Sequence, residues 1–228
     1  MRFLLYMCFA FQFIACKNEQ NKEQIHSESE KLDKSADSHT QNQKNQPKTI
    51  IFFGNSLTAG YGLDEEFSFP SLIQKKIDSL KLNYKAVNAG LSGETSADGF
   101  KRVDWILKQK PDIFVLELGA NDVLRGQNLF NTNQNLRFIL NKVMVKNPEV
   151  KLVIAGMLAP PNMGKQYTTD FKNIFIGLSK DYKASFIPFL LEGVAGIPKL
   201  NLSDGKHPNA EGQKIVAENV WKIIKGLL

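Results

Sequence analysis

The sequence predicts an α/β fold: a three-layer α/β/α sandwich around a five-stranded parallel sheet. Three observations point there. From residue 48 onward, five short β-rich runs stand out: TIIFFG (49–54), KAVNAG (85–90), DIFVLELG (112–119), KLVIAGML (151–158) and SFIPFLL (185–191). Their apolar residues are continuous and not alternating, as in strands covered on both faces. Amphipathic stretches of helical length separate them, and strand–helix alternation of this kind builds a parallel sheet between helical layers.

The helical stretches carry their own start and stop signals. SFPSLIQKKIDSL opens on Ser68 with a Pro in the first turn. SADGFKRVDWILKQK stops before Pro111, and NTNQNLRFILNKVMVK stops before Pro148. YTTDFKNIFIGLSKDYK follows the fourth run, and NAEGQKIVAENVWKIIKGLL closes the chain. No internal repeat is evident.

Composition assigns the remainder. At 228 residues the chain has room for one ordinary domain, 48–228, plus an appendage. Residues 16–47 form that appendage. From Lys17 to Lys48 the chain is almost wholly polar, with six lysines and six acids, and it is expected to be a disordered tether that adds nothing to the net charge of +6. The basic excess of the folded part is scattered along helical stretches without interleaved aromatics, which argues for a solvated surface and against nucleic-acid binding. Residues 1–15 read as an export signal: Arg2, then the apolar FLLYMCFAFQFIA, too short to span a bilayer as a helix. Ala15 before Cys16 resembles a bacterial lipoprotein processing site, with Phe13 where Leu is usual. That resemblance implies lipidation of Cys16, a membrane anchor, and an exported protein facing the periplasm or cell exterior; an ordinary cleaved signal peptide is the alternative. The only cysteines, Cys8 and Cys16, lie in this leader and directly after it, so the domain has no disulfide, thiol nucleophile or cysteine metal ligand.

In open parallel sheets the active site lies at the carboxyl ends of the strands, so the residues after each run carry the functional reading. GNSLTAGYG (54–62) holds Ser56 in a Gly-rich strand-to-helix turn that can project a hydroxyl into a crevice. It lacks the second Gly of a G-x-S-x-G elbow and is not a phosphate loop. In NAGLSGETS (88–96), Gly93 can bring a bare backbone N–H close to a substrate oxygen. In ELGAND (117–122), Asn121 offers a neutral amide donor. In SDGKHPN (203–209), His207 is the only histidine outside the leader and tether, the others being His26 and His39. Asp204, three residues earlier, is within reach of the same ring and can fix its tautomer. Taken singly, each block also fits a plain turn. Together, a hydroxyl, a base with its orienter and two oxyanion donors on one rim are the parts of an acyl-transfer site. One histidine and no cysteine speak against zinc catalysis, and no cofactor is implied.

The four blocks, in this order, resemble the SGNH or GDSL hydrolases, over essentially all of residues 49–228. ELGANDVLRG, MLAPPNMGKQY and SDGKHPNAEGQ look closest to the bacterial arylesterase, thioesterase and lysophospholipase branch. The resemblance implies a flavodoxin-like sheet. It also implies Ser56 as nucleophile, His207 as base, Asp204 as its orienter, and an oxyanion hole from Ser56 N–H, Gly93 and Asn121. Asn55 stands where the family usually has Asp, a position viewed as shaping the turn, so activity is expected to survive with a shifted pH profile. The implied substrates are acyl esters or thioesters; a carbohydrate O-acetylesterase and a binding lipoprotein with a vestigial site are the alternatives. Without a long insertion to act as a lid, the site is expected to be open. Segments 157–167 and 190–200 are apolar enough to receive an acyl chain, or to pack as core.

Overall fold

A computed structural model describes residues 46–228, and residues 47–228 form one compact unit. The expected leader, lipidated Cys16 and tether to residue 45 lie outside the described residues. Five parallel strands make the sheet: β1 (Lys48–Gly54), β2 (Tyr84–Gly90), β3 (Ile113–Glu117), β4 (Lys151–Ala155) and β5 (Ser185–Ile187). Their order is β2-β1-β3-β4-β5, the flavodoxin-like arrangement. The long helices are α2 (Phe69–Ser79), α3 (Ser96–Ile106), α5 (Leu129–Lys146), α6 (Lys165–Asp181) and α7 (Ala210–Ile224), with short α1 (Ser56–Ala59) and α4 (Ala120–Leu124) directly after β1 and β3.

The layers follow from the connections. Right-handed crossovers leave β1 in one direction toward β2 and then run the other way through β3, β4 and β5, so their helices fall on opposite faces. α2 packs with α7 on one side, while α3, α5 and α6 pack in sequence on the other. Ile50, Ile51, Phe52 and Phe53 of β1 are completely buried, as are Ile113 and Phe114 of β3. Phe52 meets Phe69 of α2 edge-on, while Phe53 meets Phe114 across the sheet. At ~1.5–3 kcal/mol per buried large apolar side chain, this central block dominates the cohesion of the domain.

Three of the expected strands are shorter than their apolar runs: β3, β4 and β5 end at Glu117, Ala155 and Ile187. Beyond them the apolar residues leave the sheet but stay in the core, as Leu118, Met157 and Leu190 do. β2 differs in burial. It is an edge strand with only Ala89 fully covered, so the expectation of two buried faces fails there. The helix limits shift by a few residues toward their caps. α3 begins after Thr95, whose hydroxyl and Asp98 form a reciprocal capping box, and α5 begins after Asn128, whose side chain accepts from Phe130 N–H.

One glycine couples the sheet to α1. A Cβ on Gly90 would lie 2.3–2.8 Å from the backbone of Thr58 and Ala59, so the helix after β1 can sit on the end of β2 only because position 90 has no side chain. Gly90→Ala is therefore expected to cost about 1–3 kcal/mol of stability by overpacking. Gly177→Ala, in open space within α6, should gain about 0.5–1 kcal/mol from helix propensity. Urea denaturation of the two variants checks both signs.

Candidate active site

β1 lies between β2 and β3, so the chain reverses its direction of travel across the sheet at the carboxyl ends of β1 and β3, where ligand crevices form in such sheets. Ser56 is the first residue of α1, separated from the end of β1 by Asn55 alone. Its turn is fixed by Asn55, whose Oδ1 accepts from Leu57 N–H at 2.9 Å and so caps α1. Ser56 is buried with 8% exposure, and its own N–H has no acceptor among the described residues.

The partner arrives from the other end of the chain. Residues 201–208 make a tight excursion closed by an antiparallel bridge between Asn201 and Pro208, with Leu202 N–H donating to His207 O at 2.8 Å. Gly205 takes φ +69° at its tip, a left-handed conformation that favours glycine. This loop places His207 Nε2 at 2.9 Å from Ser56 Oγ and His207 Nδ1 at 2.5 Å from Asp204 Oδ2. Asp204 Oδ1 also accepts from the backbone N–H groups of Lys206 and His207 at 2.9 and 3.1 Å. The His207 side chain, then these backbone donors, hold the Asp204 carboxyl well below the usual carboxylate range. As an ionised acceptor, Asp204 requires the proton on Nδ1, which leaves Nε2 free to accept from the Ser56 hydroxyl. Side-chain exposures of 22% for His207 and 36% for Asp204 leave this group open to solvent.

The two remaining sequence candidates sit on loops following β2 and β3. Gly93 has φ +83° and, like Ser56, a backbone N–H without an acceptor among the described residues. Asn121 Nδ2 donates to Glu94 O at 2.9 Å, and its second amide hydrogen has no acceptor among them. The Gly93 loop is pinned from three sides. Arg125 Nη2 donates to Gly93 O at 2.8 Å, Asn121 holds Glu94 O, and Arg102 forms a bidentate ion pair with the buried Glu94 carboxylate. Arg102 in turn packs on the Phe53 ring at 4.5 Å. The first three loops of the rim thus carry three free N–H donors, the kind of group that stabilises an oxyanion.

Several contributing residues carried no legible signal. Gln213, buried in α7, donates to Leu57 O at 3.3 Å and accepts from Phe69 N–H at 3.0 Å, so it ties α7, the element following His207, to α1, the element bearing Ser56. Tyr61 stacks on the His207 ring at 4.6 Å between centroids. Both read as ordinary helix and turn residues. Glu117 ends β3 beneath the Ser56 turn and is fully buried; desolvation pushes its carboxyl up to about 7, against the pull of donors on Thr58 and Asn55. The two apolar segments separate. In 190–200, Leu190 and Val194 are core residues, whereas in 157–167 Leu158 is 46% exposed.

A family model described as the GDSL-like lipase/acylhydrolase family matches residues 52–215. Esterase TesA of Pseudomonas aeruginosa is 36% identical over 182 residues, 79% of this chain and 90% of that protein. The thioesterase 1/protease 1/lysophospholipase L1 of Escherichia coli K12 is 35% identical over 181 residues, 79% of this chain and 85% of that protein. Among solved structures, the psychrotrophic esterase EstA from Pseudoalteromonas sp., in a structure inhibited by monoethylphosphonate, is 32% identical with a TM-score of 0.74, covering 79% of this chain and 98% of that one.

The buried Glu117 makes a pH prediction. Its folded value near 7 lies above the ordinary 4.5. The neutral carboxyl therefore favours the folded state at low pH, and that contribution is lost as pH rises from about 4.5 through 7. Relative to Glu117→Gln, the wild-type protein should lose on the order of 3 kcal/mol between pH 5 and pH 8. Urea unfolding at the two pH values measures it; equal pH dependence of the two proteins would contradict the assignment.

Proposed function

This chain belongs to the GDSL-like lipase/acylhydrolase family, and we propose that it hydrolyses acyl esters and thioesters through an acyl-enzyme on Ser56. The observation that carries this is the continuous hydrogen-bonded line from Ser56 Oγ through His207 to Asp204, at 2.9 and 2.5 Å. As the Ser56 oxygen attacks the carbonyl carbon, its proton passes to His207 Nε2, and the imidazolium so formed is stabilised by Asp204. The negative carbonyl oxygen is met by the N–H groups of Ser56 and Gly93 and the amide of Asn121, none of which must break a bond within the protein to reach it. His207 then gives the proton to the departing alcohol or thiol as the carbon–heteroatom bond breaks. Water repeats the sequence on the acyl-enzyme, releasing the acid and restoring Ser56.

The acyl portion is read as medium or long. Tyr61, Leu91, Leu124 and Leu158 each follow a different strand at the site's end of the sheet, and all are about half exposed. Apolar side chains left facing solvent on this rim suit an acyl chain better than a sugar. The names of the relatives, an esterase and a thioesterase/lysophospholipase, support the same class.

Residues 1–15 are assigned as an export signal, Cys16 as a lipidation site and 16–47 as the tether of the domain 48–228, in an exported lipoprotein held at the membrane. The support is the apolar run, Ala15–Cys16 and the polar composition that follows.

With p-nitrophenyl esters, activity should persist from acetyl to medium-chain acids. Turnover confined to acetyl esters would transfer the assignment to a carbohydrate O-acetylesterase. Ser56→Ala and His207→Ala should lose nearly all turnover, and Asn121→Ala should lose about 10²–10³-fold in kcat. Full activity in Ser56→Ala would overturn the mechanism.

A further inference from the structure

Glu117 is a buried ionisable side chain that the mechanism above does not use. Among the described residues no lysine, arginine or histidine pairs with it. Its partners belong instead to the nucleophile's turn. Asn55 N–H and Thr58 Oγ–H donate to Oε2 at 3.1 and 2.8 Å, and Asn55 Nδ2 donates to Oε1 at 2.8 Å. Gly54, paired with Glu117 in the sheet register, makes room for this: a Cβ there would fall 2.5 Å from Oε2 and 2.2 Å from Thr58 Oγ1. A buried carboxylate without a cation is costly to desolvate, and three neutral donors only partly offset that cost.

The link to Ser56 runs through one side chain. Because Glu117 only accepts when ionised, Asn55 must aim Nδ2 at it, and Oδ1 is then committed to Leu57 N–H and faces Ser56 Oγ at 3.4 Å. The orientation of the turn thereby depends on one donor at position 55 facing one charge at position 117. We propose that Glu117 is a positioning residue for the nucleophile: with residue 55 it forms a one-charge, one-donor pair that fixes the turn presenting Ser56 to His207. This rests on Ser56 being the nucleophile.

Reciprocal substitution tests it. In Glu117→Gln two amides face each other; the introduced Nε2 group opposes the donors of Asn55, and the turn loses its charge. Expected at pH 8, where Glu117 is ionised, is a fall in kcat of about 10- to 100-fold with KM little changed, since displacement of a reacting atom acts on turnover. Asn55→Asp alone keeps one charge and one donor, because two carboxyls this close share a proton, and it should remain active. In the double variant Asn55→Asp/Glu117→Gln the roles are exchanged, the amide now at position 117 donating to the carboxylate now at position 55. There kcat should recover to within about threefold of wild type. Glu117→Gln is thus harmful beside Asn and harmless beside Asp, a pattern that simple space-filling does not produce. Wild-type kcat in Glu117→Gln, or a double variant no better than Glu117→Gln, would overturn the proposal. If Glu117→Gln does not fold, Asn55→Ala must show the same loss of kcat, and unchanged turnover there would overturn it equally. An inactive wild-type protein would instead remove the esterase reading, and this proposal with it.

Discussion

The proposed catalysis depends on one contact, Ser56 Oγ to His207 Nε2, made between residues 151 positions apart in the chain. Neither partner can find the other locally. Ser56 is held by β1, whose residues Ile50 to Phe53 are completely buried, and by the α1 cap from Asn55. His207 is held by a loop whose ends are bridged to each other and whose following helix is tied to α1 through Gln213. The parallel sheet supplies the common frame, because all its carboxyl ends face one way and every loop leaving that end reaches the same rim. The core and the site are thus one construction: the side chains that bury β1 also fix the position of its last residue.

Around that contact the protein accepts local costs that a purely structural design would avoid. Glu117 is fully buried with a raised pKa, and Glu94 is buried with Arg102 as its partner. Removing such charges in favour of apolar residues is often neutral or stabilising. Both lie directly behind functional loops, Glu117 under the serine turn and Glu94 next to Gly93. In a domain whose net stability is only ~5–15 kcal/mol, a charge that weakens folding near neutral pH is a substantial concession. Its location beneath the Ser56 turn matches the positioning role proposed for it.

Most of the frame is legible in the sequence because the signals are strong and local. The run TIIFFG has no helical alternative, the prolines at 111 and 148 close the preceding helices, and His207 stands out as the domain's only histidine. What the sequence hides is whatever depends on neighbours distant in the chain. β2 reads like its sister runs, because nothing in KAVNAG says that no strand will cover its outer side. Glu117 sits as the one acid within the apolar stretch IFVLEL, and the role proposed for it exists only once β1 brings Gly54 beside it. Gln213 and Tyr61 carry ordinary helix and turn signals, and they matter through Leu57 and His207, which only the folded chain places next to them. The apolar segment 190–200 could line a mouth or fill a core by composition alone, and packing decides for the core.

The most direct test is whether Ser56 is an activated nucleophile in the folded protein. The domain, residues 47–228, is treated with a fluorophosphonate, and the modified residue is located by peptide mass mapping, with His207→Ala treated in parallel. Adduct confined to Ser56, and greatly slowed in His207→Ala, is the expected result. A folded wild-type domain that takes up no fluorophosphonate, or takes it up equally fast without His207, would contradict the central claim.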